Sequence, residues 1–195
     1  MNDPAARLYA RLLVLRCQTG EESALAELIA DYSPRLRFYL RKMAGDSSAD
    51  DLLQDVWVDV VRNFNRLQDP DALPGWIYRI ARDKAYRDLR RRRRYVPLPP
   101  QEESAGTVDD VEQPWTAEDA DQVRSAMDLL PAQHREVLAL RFVEDMDYEQ
   151  IASVVGAPVG TVRSRLFYAK RALRKAIERK GHHERERTRQ SVAQR

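Results

Sequence analysis

DYEQIASVVGAPVGTVRSRLFYAKRALRK, residues 147–175, is the stretch that decides the fold. Ile151, Ala152 and Val155 recur at the spacing of one helix face, and Gly156 then offers a residue without a Cβ for a tight turn. Pro158 suits the first turn of a second helix, where its missing N–H would have had no partner. That second helix gathers Val162, Leu166, Ala169 and Leu173 on one side. Two helices crossing steeply about a short turn leave room near the crossing only for a small side chain, and Ala152, four residues before Gly156, supplies it. The pattern is a helix-turn-helix.

The outward face of the second helix carries Arg163, Ser164, Phe167, Tyr168 and Arg171, and residues 163–180 hold eight bases against the single acid Glu178. A solvated basic amphipathic helix would share the charge run but not the turn glycine, the small alanine and the two matched apolar stripes. Such a helix fits the major groove of duplex DNA, with hydrogen-bonding side chains toward base edges and flanking bases on phosphates.

Working outward, the 195 residues suffice for two small domains. The formal net charge of +2 conceals a division: residues 1–95 carry +4, residues 96–123 carry −8 with no base, and residues 124–195 carry +6. Two basic blocks separated by an acidic strip suggest two surfaces that meet polyanions. One cysteine, Cys17, excludes an intramolecular disulfide and a thiolate zinc cluster, and is expected to be a packing residue. No run approaches the ~18 apolar residues of a membrane span, and the N-terminal MNDPAARLYARLLVLRC lacks a sustained apolar core and a cleavage site. The expectation is a soluble chain.

Four helices are predicted in the first block. The first covers about Ala6 to Gln18 and stops near Gly20; the second covers about Glu22 to Met43, kinked or split at Ser33 and Pro34, and stops at Gly45. The third, capped by Ser48 with Asp51 three residues on, runs to about Leu67, and the fourth opens at Pro74 and runs to about Arg92. The segment from Tyr95 to Trp115, rich in proline and acid, reads as a linker. Four more helices follow, near Ala117 to Leu130, Ala132 to Phe142, Tyr148 to Val155 and Val159 to Arg179, and the polar tail from Gly181 is expected to fray. With no convincing strand, the fold class is all-α.

The third helix is expected to bury Leu52, Leu53, Val56, Trp57, Val60, Val61 and Phe64, while Asp51, Asp55 and Asp59 line its other side at a spacing of four. Like charges so placed cost about 0.2 to 0.5 kcal/mol per pair, which suggests a basic protein partner, although an ordinary solvated face reads the same way. In PGWIYRIARDKAYRDLRRRRR, residues 74–94, Ile77, Ile80, Ala81, Ala85 and Leu89 point inward, and Arg79, Arg82, Lys84, Tyr86 and Arg87 lie toward or beside solvent. The five arginines Arg90 to Arg94 exceed what a helix dipole asks for and suggest phosphate contact. Trp76, Tyr78 and Phe64 beside this face suggest base stacking, against core burial for any one of them.

With these residues on the page, the chain resembles the extracytoplasmic-function (ECF) sigma factors of the sigma-70 family, over about residues 20–180. The resemblance is carried by GEESALAELIADYSPRLRFYLRKM (20–43), ADDLLQDVWVDVVRNF (49–64), residues 74–94, and LLPAQHREVLALRFVEDMDYEQIASVVGAPVGTVRSRLFYAKRAL (129–173). Departures are Asp55 where Glu is commoner, Trp57 where Phe is commoner, and Pro74 and Gly75 in place of charged or aromatic residues before Trp76.

The resemblance implies two small helical domains joined by a flexible acidic linker. Residues 1–95 would be region 2, 96–115 the linker, 116–180 region 4 with its helix-turn-helix, and 181–195 a polar tail. It further implies a cytoplasmic transcription initiation factor with no catalytic residue, metal or cofactor. Asp51, Gln54, Asp55 and Val58 would dock on the clamp helices of the largest subunit of core RNA polymerase. Asn65, Arg66, Trp76, Arg79, Arg82, Lys84 and Arg87 would open the minus 10 element and hold its single strand. Thr161, Arg163, Ser164, Arg165, Phe167, Tyr168 and Arg171 would read the minus 35 duplex, with region 4 also on the flap of the second-largest subunit. An anti-sigma protein, often at a membrane, would mask both domains of a free monomer. The main alternative is a free-standing helix-turn-helix regulator. A nucleic-acid enzyme would need clustered carboxylates or histidines, and His134, His182 and His183 share no metal-ligand spacing.

Overall fold

The computed structural model describes residues 4–92 and 120–193, with side chains over 8–92 and 122–179. Eight α-helices span α1 (Pro4–Gln18), α2 (Glu22–Ala44), α3 (Asp46–Asn63), α4 (Leu73–Arg92), α5 (Ala120–Met127), α6 (Ala132–Phe142), α7 (Tyr148–Val155) and α8 (Val159–Ala193), and no strand occurs among the described residues. The all-α expectation holds. The expected linker, 96–115, lies outside the described residues, as do Arg93 and Arg94.

Local chemistry explains most boundaries. Gly20 and Gly45 follow α1 and α2 at φ 84° and 91°, a region side chains with a Cβ rarely adopt, and the Gly45 N–H donates to the Arg41 carbonyl at 2.9 Å. Of the kinked or split helix expected at Ser33 and Pro34, the split does not occur: α2 runs continuously through Pro34. Its buried face, Leu28, Tyr32, Leu36, Tyr39, Leu40 and Met43, continues on both sides of the proline, so packing offsets the lost backbone bond.

A second correction concerns Ser48. α3 starts two residues earlier, at Asp46, with no side-chain cap; Ser48 is buried in the first turn and its hydroxyl accepts from Arg92 at the end of α4. A long-range partner has outcompeted the local cap. α3 ends at Asn63, short of Leu67, and a 3-10 turn over Phe64–Arg66 and another over Pro70–Ala72 lead into α4. Pro74 falls inside the first turn of α4.

Helices α2, α3 and α4 pack on one another and α1 closes over α2; in the second half α5, α6 and α7 pack on α8. The halves also meet: α6 lies on α2 and α7 on α4, and the buried apolar side chains form one continuous cluster from Leu13 to Ala176. At Gly75 of α4 a Cβ would stand 4.0 Å from Val154 Cγ2 of α7. The residues expected to fray continue α8 to Ala193. Gly181 costs a helix interior about 1 kcal/mol, but the Glu, Arg and Gln residues after it are good helix formers.

Candidate nucleic-acid and polymerase interfaces

The helix-turn-helix forms as its residues require. Asp147 caps α7 by accepting from the Gln150 N–H at 2.7 Å, while the Gln150 side chain accepts from the Asp147 N–H at 3.0 Å. This reciprocal capping box is written in the sequence as Asp followed three residues on by Gln, and went unread there. Gly156 adopts φ 68°, ψ 40°, and its N–H donates to the Ala152 carbonyl at 2.9 Å. Val162, Leu166, Ala169 and Leu173 are buried, as their spacing predicts.

On the opposite side of α8, Arg163 and Arg171 are exposed and Thr161, Ser164, Phe167 and Tyr168 are half-buried. Arg163 lies over the Tyr148 ring at 5.4 Å, Arg171 over the Phe167 ring at 5.6 Å, and Phe167 meets Tyr168 edge to face with centroids 5.4 Å apart. The Ser164 hydroxyl donates to the Thr161 carbonyl at 3.0 Å. These rings brace the guanidinium groups without neutralising them, a preorganised basic surface. Arg165, placed with this set by the resemblance, is half-buried and instead acts electrostatically on the Tyr86 hydroxyl of α4.

On α3, Asp51, Gln54, Asp55 and Val58 share one exposed face, and among the described residues Asp51 and Asp55 make no ion pair. Two residues depart from the expected arrangement. Val61 is 50% exposed rather than buried and joins Val58, 45% exposed, on that face. Asp59 leaves the acidic row to bind Lys84 of α4 at 2.7 Å. What remains is two carboxylates followed by an apolar pair, a composition better matched to a protein surface than to water. Trp57 is in the core as expected, and Leu52 and Leu53 are half-buried.

Along the segment from α3 into α4, Asn65, Arg66, Arg79 and Arg87 are exposed, and Trp76 is half-buried, edge to face with Phe64 at 6.0 Å between centroids. Tyr78 and Phe64 are buried, which leaves Trp76 as the ring able to stack on a base. The loop is held from behind: Gln18 Nε2 of α1 donates to the Leu67 carbonyl at 2.7 Å, and Arg11 stands 3.5 Å from Asp71. Arg82, Lys84 and Tyr86 are not the solvent-facing groups that periodicity suggested. Lys84 is taken by Asp59, and Arg82 Nε and the Tyr86 hydroxyl both donate, at 2.8 Å, to the Glu136 carboxylate of α6. Arg91 and Arg92, in the arginine run, are paired with the buried Asp88.

Among the described residues no group of three His, Cys, Asp or Glu could hold a metal, and no helix is long and apolar enough to cross a membrane.

Comparison with known proteins gives this arrangement a family. Residues 28–95 match the model for sigma-70 region 2, and residues 120–173 match that for sigma-70 region 4. The RNA polymerase sigma-H factor of Pseudomonas aeruginosa is 31% identical over 178 residues, covering 85% of this chain and 92% of that protein. The ECF RNA polymerase sigma-E factor of Escherichia coli K12 is 26% identical over 183 residues, 88% of this chain and 96% of that one. CnrH, solved in complex with the cytosolic domain of CnrY, superposes with a TM-score of 0.63 at 25% identity, over 86% of this chain and 96% of that one. The sigma factor RpoE of Bartonella quintana, solved with the anti-sigma factor NepR, shares the fold with a TM-score of 0.60 at 21% identity, over 78% of this chain and 96% of that one. Both region models fall in order along one chain that covers nearly the full length of these relatives, and sigma factors leave the chemistry to polymerase. This chain accordingly belongs to the sigma-70 family, as an ECF-type alternative sigma factor that directs transcription initiation and is not itself an enzyme.

Proposed function

We propose that the labour of initiation divides along the chain as its surfaces do. Residues 1–95 act as the region 2 domain and 116–180 as region 4, with 96–115 as the linker between them and 181–195 as a tail. Asp51, Gln54, Asp55 and Val58 dock on the clamp helices of the largest polymerase subunit, with Val61 extending the contact. The observation that carries this is the run on one face of α3 of two exposed valines and two carboxylates that make no ion pair among the described residues. Isolated exposed acids would be mere solubility; acids beside exposed valines suit a basic and partly apolar partner.

Asn65, Arg66, Trp76, Arg79, Arg82, Lys84 and Arg87 engage the minus 10 element, with Trp76 stacking on an unpaired base, the exposed Arg66, Arg79 and Arg87 on phosphates, and Arg82 and Lys84 reaching DNA only on leaving Glu136 and Asp59. Stacking and backbone contacts offset the few kcal/mol of unstacking, so opening needs no catalytic side chain. Thr161, Arg163, Ser164, Arg165, Phe167, Tyr168 and Arg171 read the minus 35 duplex, and region 4 also holds the flap of the second-largest subunit. The free protein is a cytoplasmic monomer, and an anti-sigma factor is its partner when it is not on polymerase. The Bartonella quintana relative, which shares the fold, is in complex with one.

The test adds the purified chain to core polymerase with genomic DNA and maps transcript starts. New, specific starts are expected, with affinity for core polymerase lowered about tenfold or more by Asp55→Arg at unchanged helical content. Specific duplex binding without any new start would overturn the reading in favour of a free-standing regulator.

A further inference from the structure

Glu136 is the one acid in the otherwise apolar and basic helix α6 whose side chain is almost wholly buried, at 1% exposure. Its partners all lie in the other half of the chain. Oε1 accepts from the Tyr39 hydroxyl of α2 at 3.0 Å and from Arg82 Nε of α4 at 2.8 Å, and Oε2 accepts from the Tyr86 hydroxyl at 2.8 Å. Arg82 also lies over the Tyr86 ring, 4.6 Å from its centroid, so a single constellation holds the carboxylate. Two further contacts repeat the same polarity. Asp128 accepts from Lys42 at 2.7 Å, and the buried Glu144, beside Tyr78 and Tyr32, stands 3.5 Å from Arg35. In each of the three the acid belongs to the second half and the base to the first.

We propose that Glu136 is an intramolecular latch: its carboxylate takes the place of a DNA phosphate on Arg82 and Tyr86, so the free chain holds itself closed with no second protein, and closure and promoter binding exclude one another. The inference rests on the reading of α4 as a promoter-facing helix. A carboxylate carrying three donors presents oxygens in the way a backbone phosphate does, and a guanidinium cannot serve both at once. The arrangement is also all-or-none. If Arg82 left for DNA while the halves stayed together, Glu136 would remain buried without its cation, a strongly unfavourable state. Release of Arg82 therefore drives the halves apart, and by linkage anything that separates the halves frees Arg82 for the promoter. The acid-to-base polarity of the other two contacts makes the interface complementary along its length rather than at one pair.

The experiment uses the full chain with spin labels at Ala26→Cys on α2 and Gln133→Cys on α6, both exposed positions, in a Cys17→Ser background. Inter-label distance distributions are read by double electron–electron resonance, with no DNA or polymerase present. The unaltered latch is expected to give one narrow distribution, and Glu136→Ala and Lys42→Glu broad ones at unchanged helical content. The charge exchange Lys42→Glu with Asp128→Lys is expected to restore the narrow distribution. A broad distribution with the latch intact, a narrow one in Glu136→Ala, or no restoration by the exchange would overturn the proposal. Because this readout contains no nucleic acid, its failure is distinct from failure of the promoter reading. In a second readout, Glu136→Ala without polymerase should bind a melted promoter fragment about tenfold more tightly than the unmodified chain. Equal affinities would count against the latch.

Discussion

Trp57 of α3 donates its indole N–H to the hydroxyl of Ser33 on α2 at 3.0 Å, and so ties α3 to the turn of α2 just before Pro34. The rest of the ring is buried, so the bond closes off the one polar atom that core packing would otherwise strand. Ser33→Ala leaves that donor unpaired and should destabilise the protein by about 1 to 3 kcal/mol. Trp57→Phe removes the donor together with part of the packing and should cost a similar amount. Denaturant unfolding followed by circular dichroism measures both, and a Ser33→Ala protein as stable as the parent would deny the bond any role.

The capping box at the head of α7 makes a second quantity measurable. Asp147→Ala removes the acceptor for the Gln150 N–H and should cost about 1 kcal/mol. Because α7 supports the recognition helix, duplex affinity should fall with it, whereas Asp147→Asn, which keeps a capping oxygen, should retain most of both. Thermal unfolding and fluorescence anisotropy report the pair.

On α8, Arg163 and Arg171 are the exposed cations braced by rings. If one reads a base edge, its replacement by Ala should weaken binding to the cognate minus 35 duplex by about 1 to 3 kcal/mol and relax the preference at one position. If it meets a phosphate, binding should weaken evenly across sequences and the slope of log affinity on log salt should fall by about 1. Anisotropy titrations over a salt series separate the two, and no change in either quantity would remove the residue from the interface.

Closure should depend on pH. Burial pushes the Glu136 carboxyl above its ordinary 4.5, against the opposing pull of Arg82, Tyr86 and Tyr39. Burial likewise pushes Glu144 up, with Asp31 adding to the effect and Tyr78 and Arg35 opposing it. A carboxyl whose value is higher in the closed form holds its proton more tightly there. The part of closure that protonation supplies is thus fully present below pH 4.5 and lost as pH rises through the raised value, and above it the ionised Glu136 is held by its donors Arg82, Tyr86 and Tyr39 alone. The fraction of the narrow inter-label distance should accordingly decline with rising pH, and Glu136→Ala should flatten the curve. A closed fraction that grows as pH rises would contradict the sign.

How far the sequence could be read depended on how far away the deciding partner sits. α6 and α7 begin and end where the text places them, at Ala132–Phe142 and Tyr148–Val155, because Pro131, Gly156 and Pro158 punctuate them locally. The buried stripe of α8 followed from period alone. Ser48 misled because Arg92, 44 residues on, claims its hydroxyl. Arg82 and Tyr86 misled for the same reason: Glu136 stands 54 and 50 residues away, and helical periodicity carries no record of a partner at that range. A signal for Glu136 did exist in REVLAL, a carboxylate set directly against an apolar run. Val61 read as core because period cannot tell a buried apolar residue from an exposed one.

The bond from Gln18 to the Leu67 carbonyl reaches further than its one distance suggests. It anchors the strip of backbone between α3 and α4 to α1, 49 residues earlier in the sequence. If that strip meets the minus 10 element as proposed, exchanging α1 between relatives should shift the base preference there without altering any residue proposed to touch DNA.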